Sequence, residues 1–341
     1  MLPPPFPISP ADLPDGIQPT LIVVIDTEEE FDWGRPVSPH NRSVEAINHQ
    51  PRAQAIFDQY GIKPTYVVDY PVAETPKAID VLRPIFEDGR CEIGAHLQPW
   101  VNPPYDETIS PFTSYTNNLP RGLQHEKLAT LTAKIVESFE TRPIVYKAGR
   151  YGIGQHTADI LSELGYEIDA SVLPNTILTA EGGPDFTLFP DQPFWFGPDL
   201  SLFEIPLTRG FIGHLSSHHR KLAALYDRSL PEKLHLPGIL ARLGLAERIT
   251  LTPEGISLGE QKRLTRELIA RGQRVFSYTY HSSSLLPGGS PYVSNAADVS
   301  AFLGKMDAYF HYFFEELGGQ TMTTVALRDL LKGEPTVAAA E

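Results

Sequence analysis

Residues 21–33 read LIVVIDTEEEFDW, and the fold of the whole chain turns on this stretch. Leu21 to Ile25 form an unbroken apolar run that leads straight into Asp26, Glu28, Glu29, Glu30 and Asp32. Such a run, rich in β-branched residues, marks a strand buried on both faces, as in a parallel sheet wrapped by helices. In α/β barrels and open α/β sheets, ligands sit beyond the carboxyl ends of the strands. Asp26 and Glu28, two residues apart on an extended chain, project the same way. Asp26 closes a buried strand, where a carboxylate is costly unless a cation or hydrogen bonds satisfy it. Glu29, Glu30 and Asp32 read instead as a solvated acidic turn.

A chain of 341 residues can form a single α/β barrel, and 41% apolar with 21% charged residues is ordinary for a globular protein. No run approaches the roughly 18 apolar residues that a membrane span requires. The opening MLPPPFPISPADLPDG has neither the basic nor the apolar region of a secretory signal, so a cytoplasmic location is expected. The lone cysteine, Cys91, fits a reducing compartment and a packing role. A net charge of −14 argues against nucleic acid or an anionic membrane as partner. A small-molecule or oligosaccharide substrate fits better.

Residues 1–17, rich in proline, read as an irregular arm. Beyond the first strand, a helix from Ser43, split at Pro51, ends at Gly61, and KPTYVVDYPVA supplies a second strand with Asp69 at its end. A helix closing at Gly89 leads to CEIGAHLQPWVNPP, a strand that ends near His96. A helix over His125 to Thr141 precedes the strand IVYKAG, which carries Lys147 and leads to Arg150, and a further helix precedes IDASVLP, with Asp169. The loop over 176–200 is rich in aromatics and glycine, of the kind that covers a site. After the strand LFEIPLT, residues 214–250 read as a basic helical insertion. Then a helix ends at Gly272, and RVFSYTYH delivers His281 to a loop rich in serine, glycine and proline. The last helices, Ala296 to Leu317 and Val325 to Leu331, precede a disordered tail over 333–341. The aromatic face AYFHYFFEEL could bury against the barrel or against a second copy of the chain. Strand and helix alternate about seven times, which argues α/β with a mainly parallel sheet. Dinucleotide, P-loop and GxSxG signatures are absent from the sequence.

The order IDTEEEFDW, GIKPTYVVDYPVA, CEIGAHLQPW, YKAGRYG, GYEIDASVLP and FSYTYHSSSLLPG resembles that of the polysaccharide deacetylase family with the NodB homology domain, and its WalW-like subgroup most of all. The resemblance spans residues 18–332. It implies a distorted (β/α) barrel of about seven parallel strands that hydrolyses the amide of an N-acetylated sugar. It implies a divalent metal, zinc foremost, held by one acidic residue and two histidines. Asp26 then corresponds to the base, His281 to the acid, and Glu28 and His96 to metal ligands. Lys147, with Arg150 nearby, falls where an arginine orients the base; lysine lacks the planar fork of arginine. Asp169 would be a supporting residue. The second metal histidine, expected four residues after His96, is Trp100. Gln98, Asp69 or Asp32 would have to complete the set, and an amide oxygen is a poor zinc ligand. A metal-independent amidase and a non-catalytic carbohydrate-binding protein remain as alternatives. So do plainer roles: a buried Asp26–Lys147 ion pair, His96 as a hydrogen-bonded core residue, and His281 as a loop cap.

Overall fold

The computed structural model describes residues 3–227 and 236–333. Its strands, in chain order, are β1 (Ile8–Pro10), β2 (Thr20–Thr27), β3 (Thr65–Val68), β4 (Glu92–Leu97), β5 (Val145–Ala148), β6 (Ile168–Asp169), β7 (Phe194–Phe196), β8 (Leu202–Glu204), β9 (Arg209–Ile212), β10 (Glu247–Thr250), β11 (Val275–His281) and β12 (Gln320–Thr321). Among the described residues ten of these form one sheet in the order β1-β7-β8-β6-β5-β4-β3-β2-β11, with β12 beside β2. The run of seven from β8 to β11 is parallel throughout. β1 and β7 are antiparallel additions at one edge. The sheet curls into a distorted (β/α) barrel. Where β8 and β11 fail to pair, Leu251 links the segment that follows β8 to β11, donating its N–H to Thr208 O (2.8 Å) and accepting from Thr279 N (3.4 Å).

Alternation along each strand decides what faces the barrel interior. Ile22 and Val24 of β2, Val67 of β3, Val145 of β5, Ile168 of β6 and Val275 of β11 pack together as one cluster, plugged by Leu327 of the closing helix Thr324–Lys332. Leu21, Val23 and Ile25 face outward into the larger core beneath the surrounding helices. Asp26 therefore follows Ile22 and Val24 to the inner face, Lys147 follows Val145, and His281 follows Val275. Register then brings them level: His281 lies beside Asp26 across β11 and β2, and His96 beside Lys147 across β4 and β5.

Several features differ from the sequence expectations. Within the N-terminal arm, Ile8–Pro10 pairs with Phe194–Phe196, because the latter segment leaves an open sheet edge. The 214–250 insertion is not wholly helical: it contains helices His219–Tyr226 and Leu236–Arg242 but closes with β10, paired antiparallel to β9. Its residues 228–235, like tail residues 334–341, lie outside the described residues. Tyr309, Phe310 and Phe313 of the last long helical stretch are buried within the chain, with Tyr309 stacked on Tyr278 at 5.3 Å. Among the described residues no helix is long and apolar enough to cross a membrane.

The loop after β4 is organised around a buried cation that the sequence did not announce. Lys127, on the helix Arg121–Phe139, is fully buried and donates to the carbonyls of Pro99 (3.0 Å), Asn102 (2.7 Å) and Pro104 (2.6 Å). Glu107 supplies its counter-ion at 2.9 Å. Lys127→Met leaves those acceptors and a carboxylate buried without a donor. It should lower stability by about 3–5 kcal/mol in chemical denaturation, a loss expected when one partner of a buried ion pair is removed; a change within error would show that the loop does not depend on this cation.

Candidate active site

Beyond the carboxyl ends of β2, β4, β5 and β11 lies a cavity of about 620 Å³. Its floor carries Asp26, Glu28, His96, Gln98 and His281, and its walls are largely aromatic, with Phe31, Trp33, Trp100, Tyr115 and Tyr151. Asp26 is 3% exposed, and its carboxylate is held from two sides. Lys147 Nζ donates to Oδ1 at 2.5 Å and to Thr279 Oγ1 at 3.2 Å, while His281 Nε2 stands 3.5 Å from Oδ2. Burial opposes charge on Asp26, but Lys147, His96 and His281 outweigh it and keep the carboxyl below its ordinary range.

The partner of His281 is a residue the sequence reading passed over. Glu254, in the turn before the helix Leu258–Ala270, accepts from His281 Nδ1 at 2.9 Å, from the His281 backbone N–H at 3.0 Å and from Ser284 Oγ at 2.5 Å. With Nδ1–H committed to Glu254, Nε2 is the ring nitrogen turned toward Asp26 and the cavity. Burial would pull the imidazolium down, but the charges of Glu254, Glu28 and Asp26 reverse this and push it up to about 10. The edge of Trp33 packs against the same ring at 4.8 Å.

Glu28 is buried, and its backbone is pinned by Ser282, whose hydroxyl accepts from Glu28 N (3.1 Å) and donates to Glu28 O (3.2 Å). Its Oε2 faces His96 Nε2 at 3.2 Å and accepts from the Gln98 amide. His96 Nδ1–H donates to Lys147 O at 3.1 Å, which fixes the ring. Glu28 Oε1 and Gln98 Oε1 are buried without hydrogen-bond partners.

This set does not make a metal centre of the implied kind. Among the described residues no group of three or more His, Cys, Asp or Glu side chains could hold a metal ion. The Gln98 NH2, a donor, points at the carboxylate where a ligand would present a lone pair. Trp100, in the place of the second histidine, is 1% exposed, and its Nε1–H donates to Glu29 Oε1 at 2.7 Å. Neither alternative third ligand is in place. Asp69 caps the short helix Tyr70–Glu74, accepting from Val72 N (2.8 Å) and Glu29 N (2.7 Å). Asp32 is at the surface, paired with Arg35.

Glu29 corrects the solvated-turn expectation: it is fully buried rather than exposed. Burial and the neighbouring Asp69 raise its pKa well above the ordinary range, and burial lifts Asp69 to about 6. Glu30 is also used, accepting from Ala46 N at 2.7 Å. Asp169 lies behind the floor, bonded to Ser171 and level with Glu204 on the next strand. Burial raises Asp169 to about 7.

Arg150 does not reach Asp26. Its guanidinium lies over the Tyr115 ring at 4.3 Å, donates to Ser114 Oγ at 2.5 Å and pairs with Glu181. The backbone that places it is unusual: Arg150 (φ 52°) and Tyr151 (φ 61°) are consecutive left-handed residues without glycine's freedom. Each costs roughly 1–3 kcal/mol, and a second such pair, Asp199 and Leu200, lies outside the cavity lining. Gly149 before them is obligatory, since a Cβ there would stand 2.1 Å from Gln98 Oε1 and 2.6 Å from Leu97 O.

A raised imidazolium keeps the acid form of His281 below about pH 10 and loses it above, and Asp26 ionises below the usual carboxylate range. For any hydrolysis at this site, kcat/KM should be flat through neutral pH and fall on an alkaline limb near pH 10. Glu254→Gln removes the largest raising charge and should move that limb to lower pH. A limb that stays put would separate it from His281.

No family model matches the chain, and no curated protein matches it. Solved structures do. A Mycobacterium smegmatis protein provisionally named a polysaccharide deacetylase aligns over 98% of this chain and 99% of its own at 16% identity, with a TM-score of 0.50. Puue allantoinase aligns over 94% of this chain and 91% of its own, also at 16% identity, with a TM-score of 0.54. At this identity the likeness is one of fold, and the chain has the fold of these two proteins.

Proposed function

We propose that the protein hydrolyses a C–N amide bond, removing the acetyl group from an N-acetylated sugar or glycan intermediate, and that it belongs with the polysaccharide deacetylases, nearest their WalW-like branch. The observation that carries this reading is the opposition of Asp26 and His281 at the cavity floor, each fixed by its own buried partner. The motif order and the fold shared with a protein named as a deacetylase support it further.

In this mechanism Asp26 takes a proton from water as the water oxygen attacks the amide carbonyl. Lys147 holds Asp26 ionised and oriented, the task that an arginine would otherwise perform. As the C–N bond breaks, His281 gives its Nε2 proton to the leaving nitrogen, and Glu254 keeps the ring aligned and charged. Acetate and a free amine result. Glu28 Oε1, buried and unpartnered, is an acceptor for the substrate N–H or for the attacking water. Because the side chains do not complete a metal-ligand set, no step passes through a metal.

Asp26→Asn should lower kcat by about 10²–10⁴-fold, the range for loss of a general base, with the far-ultraviolet circular dichroism unchanged. Acetate release from a panel of N-acetylated sugars should be insensitive to chelators. Loss of activity on chelation with recovery on adding zinc would overturn the metal-free mechanism. No release from any substrate in the panel would overturn the deacetylase reading.

A further inference from the structure

At the floor of the cavity the cations are paired with buried carboxylates, and at its mouth they are not. Asp26 is compensated by Lys147, and His281 by Glu254, all four largely buried. At the mouth, the two guanidinium groups that line the cavity, Arg35 and Arg150, have only exposed counter-ions. Asp32 is 61% exposed and Glu181 54% exposed. Exposed ion pairs of this kind contribute little and are easily exchanged.

Arg150 differs from an ordinary surface arginine in how it is built. Two strained left-handed residues and an obligatory glycine set its backbone. The Tyr115 face and the Ser114 hydroxyl hold its head, although neither neutralises its charge. Nη1 also lies 3.5 Å from Pro111 O, and Nη2 faces the Glu181 carboxylate, which also lines the cavity. A planar guanidinium fixed on one side and closed on the other by an exchangeable carboxylate is a receptor for a carboxylate.

We infer that Arg150 is a specificity residue that binds an anionic group on the substrate, displacing Glu181, so that the preferred substrate is an N-acylated sugar bearing a carboxylate away from the scissile amide. This rests on the hydrolase reading for the word substrate; the binding itself does not need turnover. Glu181 occupies the anion's place when the cavity is empty and competes with it. The two side chains therefore have opposite effects: Arg150 strengthens binding of an anion, and Glu181 weakens it.

The test compares N-acetylmuramic acid, which carries a carboxylate, with neutral N-acetylglucosamine. Binding is measured by calorimetry on Asp26→Asn protein, and turnover on the Asp26 protein. The acidic sugar should bind about tenfold or more tightly than the neutral one, a preference that falls with salt. Arg150→Gln should abolish that preference, and Glu181→Gln should increase it. Equal binding of the two sugars, or a Glu181→Gln variant that weakens the acidic sugar, would overturn the inference. Turnover without discrimination would sink the inference and leave the hydrolase reading standing. Arg150-dependent binding of the acidic sugar without any turnover would do the reverse.

Discussion

Four side chains in a row, Lys147, Asp26, His281 and Glu254, all buried but the half-buried His281, carry alternating charges across the carboxyl end of the barrel. Each link is 3.5 Å or shorter. In a low-dielectric interior an isolated ion is prohibitively costly, and a pair breaks even only with good geometry and satisfied hydrogen bonds. A chain of four meets that condition: the row is neutral as a whole, and each inner member sees opposite charge on both sides. Lys147 keeps Asp26 ionised, and Glu254 keeps His281 protonated. Remove Lys147, and Asp26 faces burial with only the imidazoles in support. Remove Glu254, and His281 loses the largest contribution that holds its proton.

A second buried cluster accounts for the departure at residue 100. An indole N–H that is removed from water needs an acceptor. Glu29 supplies it, but burial first, and then the neighbouring Asp69 and Glu28, disfavour the charged carboxylate, so Glu29 is driven toward its neutral form. Asp69 in turn fixes the Glu29 backbone and caps the next helix. Trp100, Glu29 and Asp69 thus form a self-consistent set in which a metal ligand has no role, and the aromatic ring becomes cavity wall. The acidic run after the first strand is divided by this logic among floor (Glu28), support (Glu29), loop anchor (Glu30) and surface (Asp32).

Much of this was legible in the sequence for a simple reason. Buried strands are largely apolar runs, and ligands in such sheets sit beyond the carboxyl ends of the strands, so Asp26, His96, Lys147 and His281, each at or near the end of such a run, could be read from the sequence as candidates for one site. Glu254 was not legible, because it comes from a turn rather than a strand end, and a glutamate before a glycine in a turn has no local mark of a buried partner. Glu29 was misread because alternation alone puts it opposite Glu28, and only the tertiary positions of Trp100 and Asp69 show that the opposite side is also interior. The β9–β10 pair escaped for a similar reason: its strands are separated by 34 residues of helical composition, and register between distant segments leaves no periodic trace.

Floor and mouth are mechanically joined through Gln98. Its amide NH2 holds Glu28, and its Oε1, together with the backbone carbonyl of Leu97, fills the space where any side chain at residue 149 would project. Gly149 is therefore forced, and the close approach of the chain at that point leads directly into the left-handed turn that carries Arg150 and Tyr151. The position of the guanidinium at the mouth is thus set by the packing of the floor, over a few residues of stiff backbone. Such a connection explains how a residue outside the alternating row of charges can still be held rigidly with respect to it.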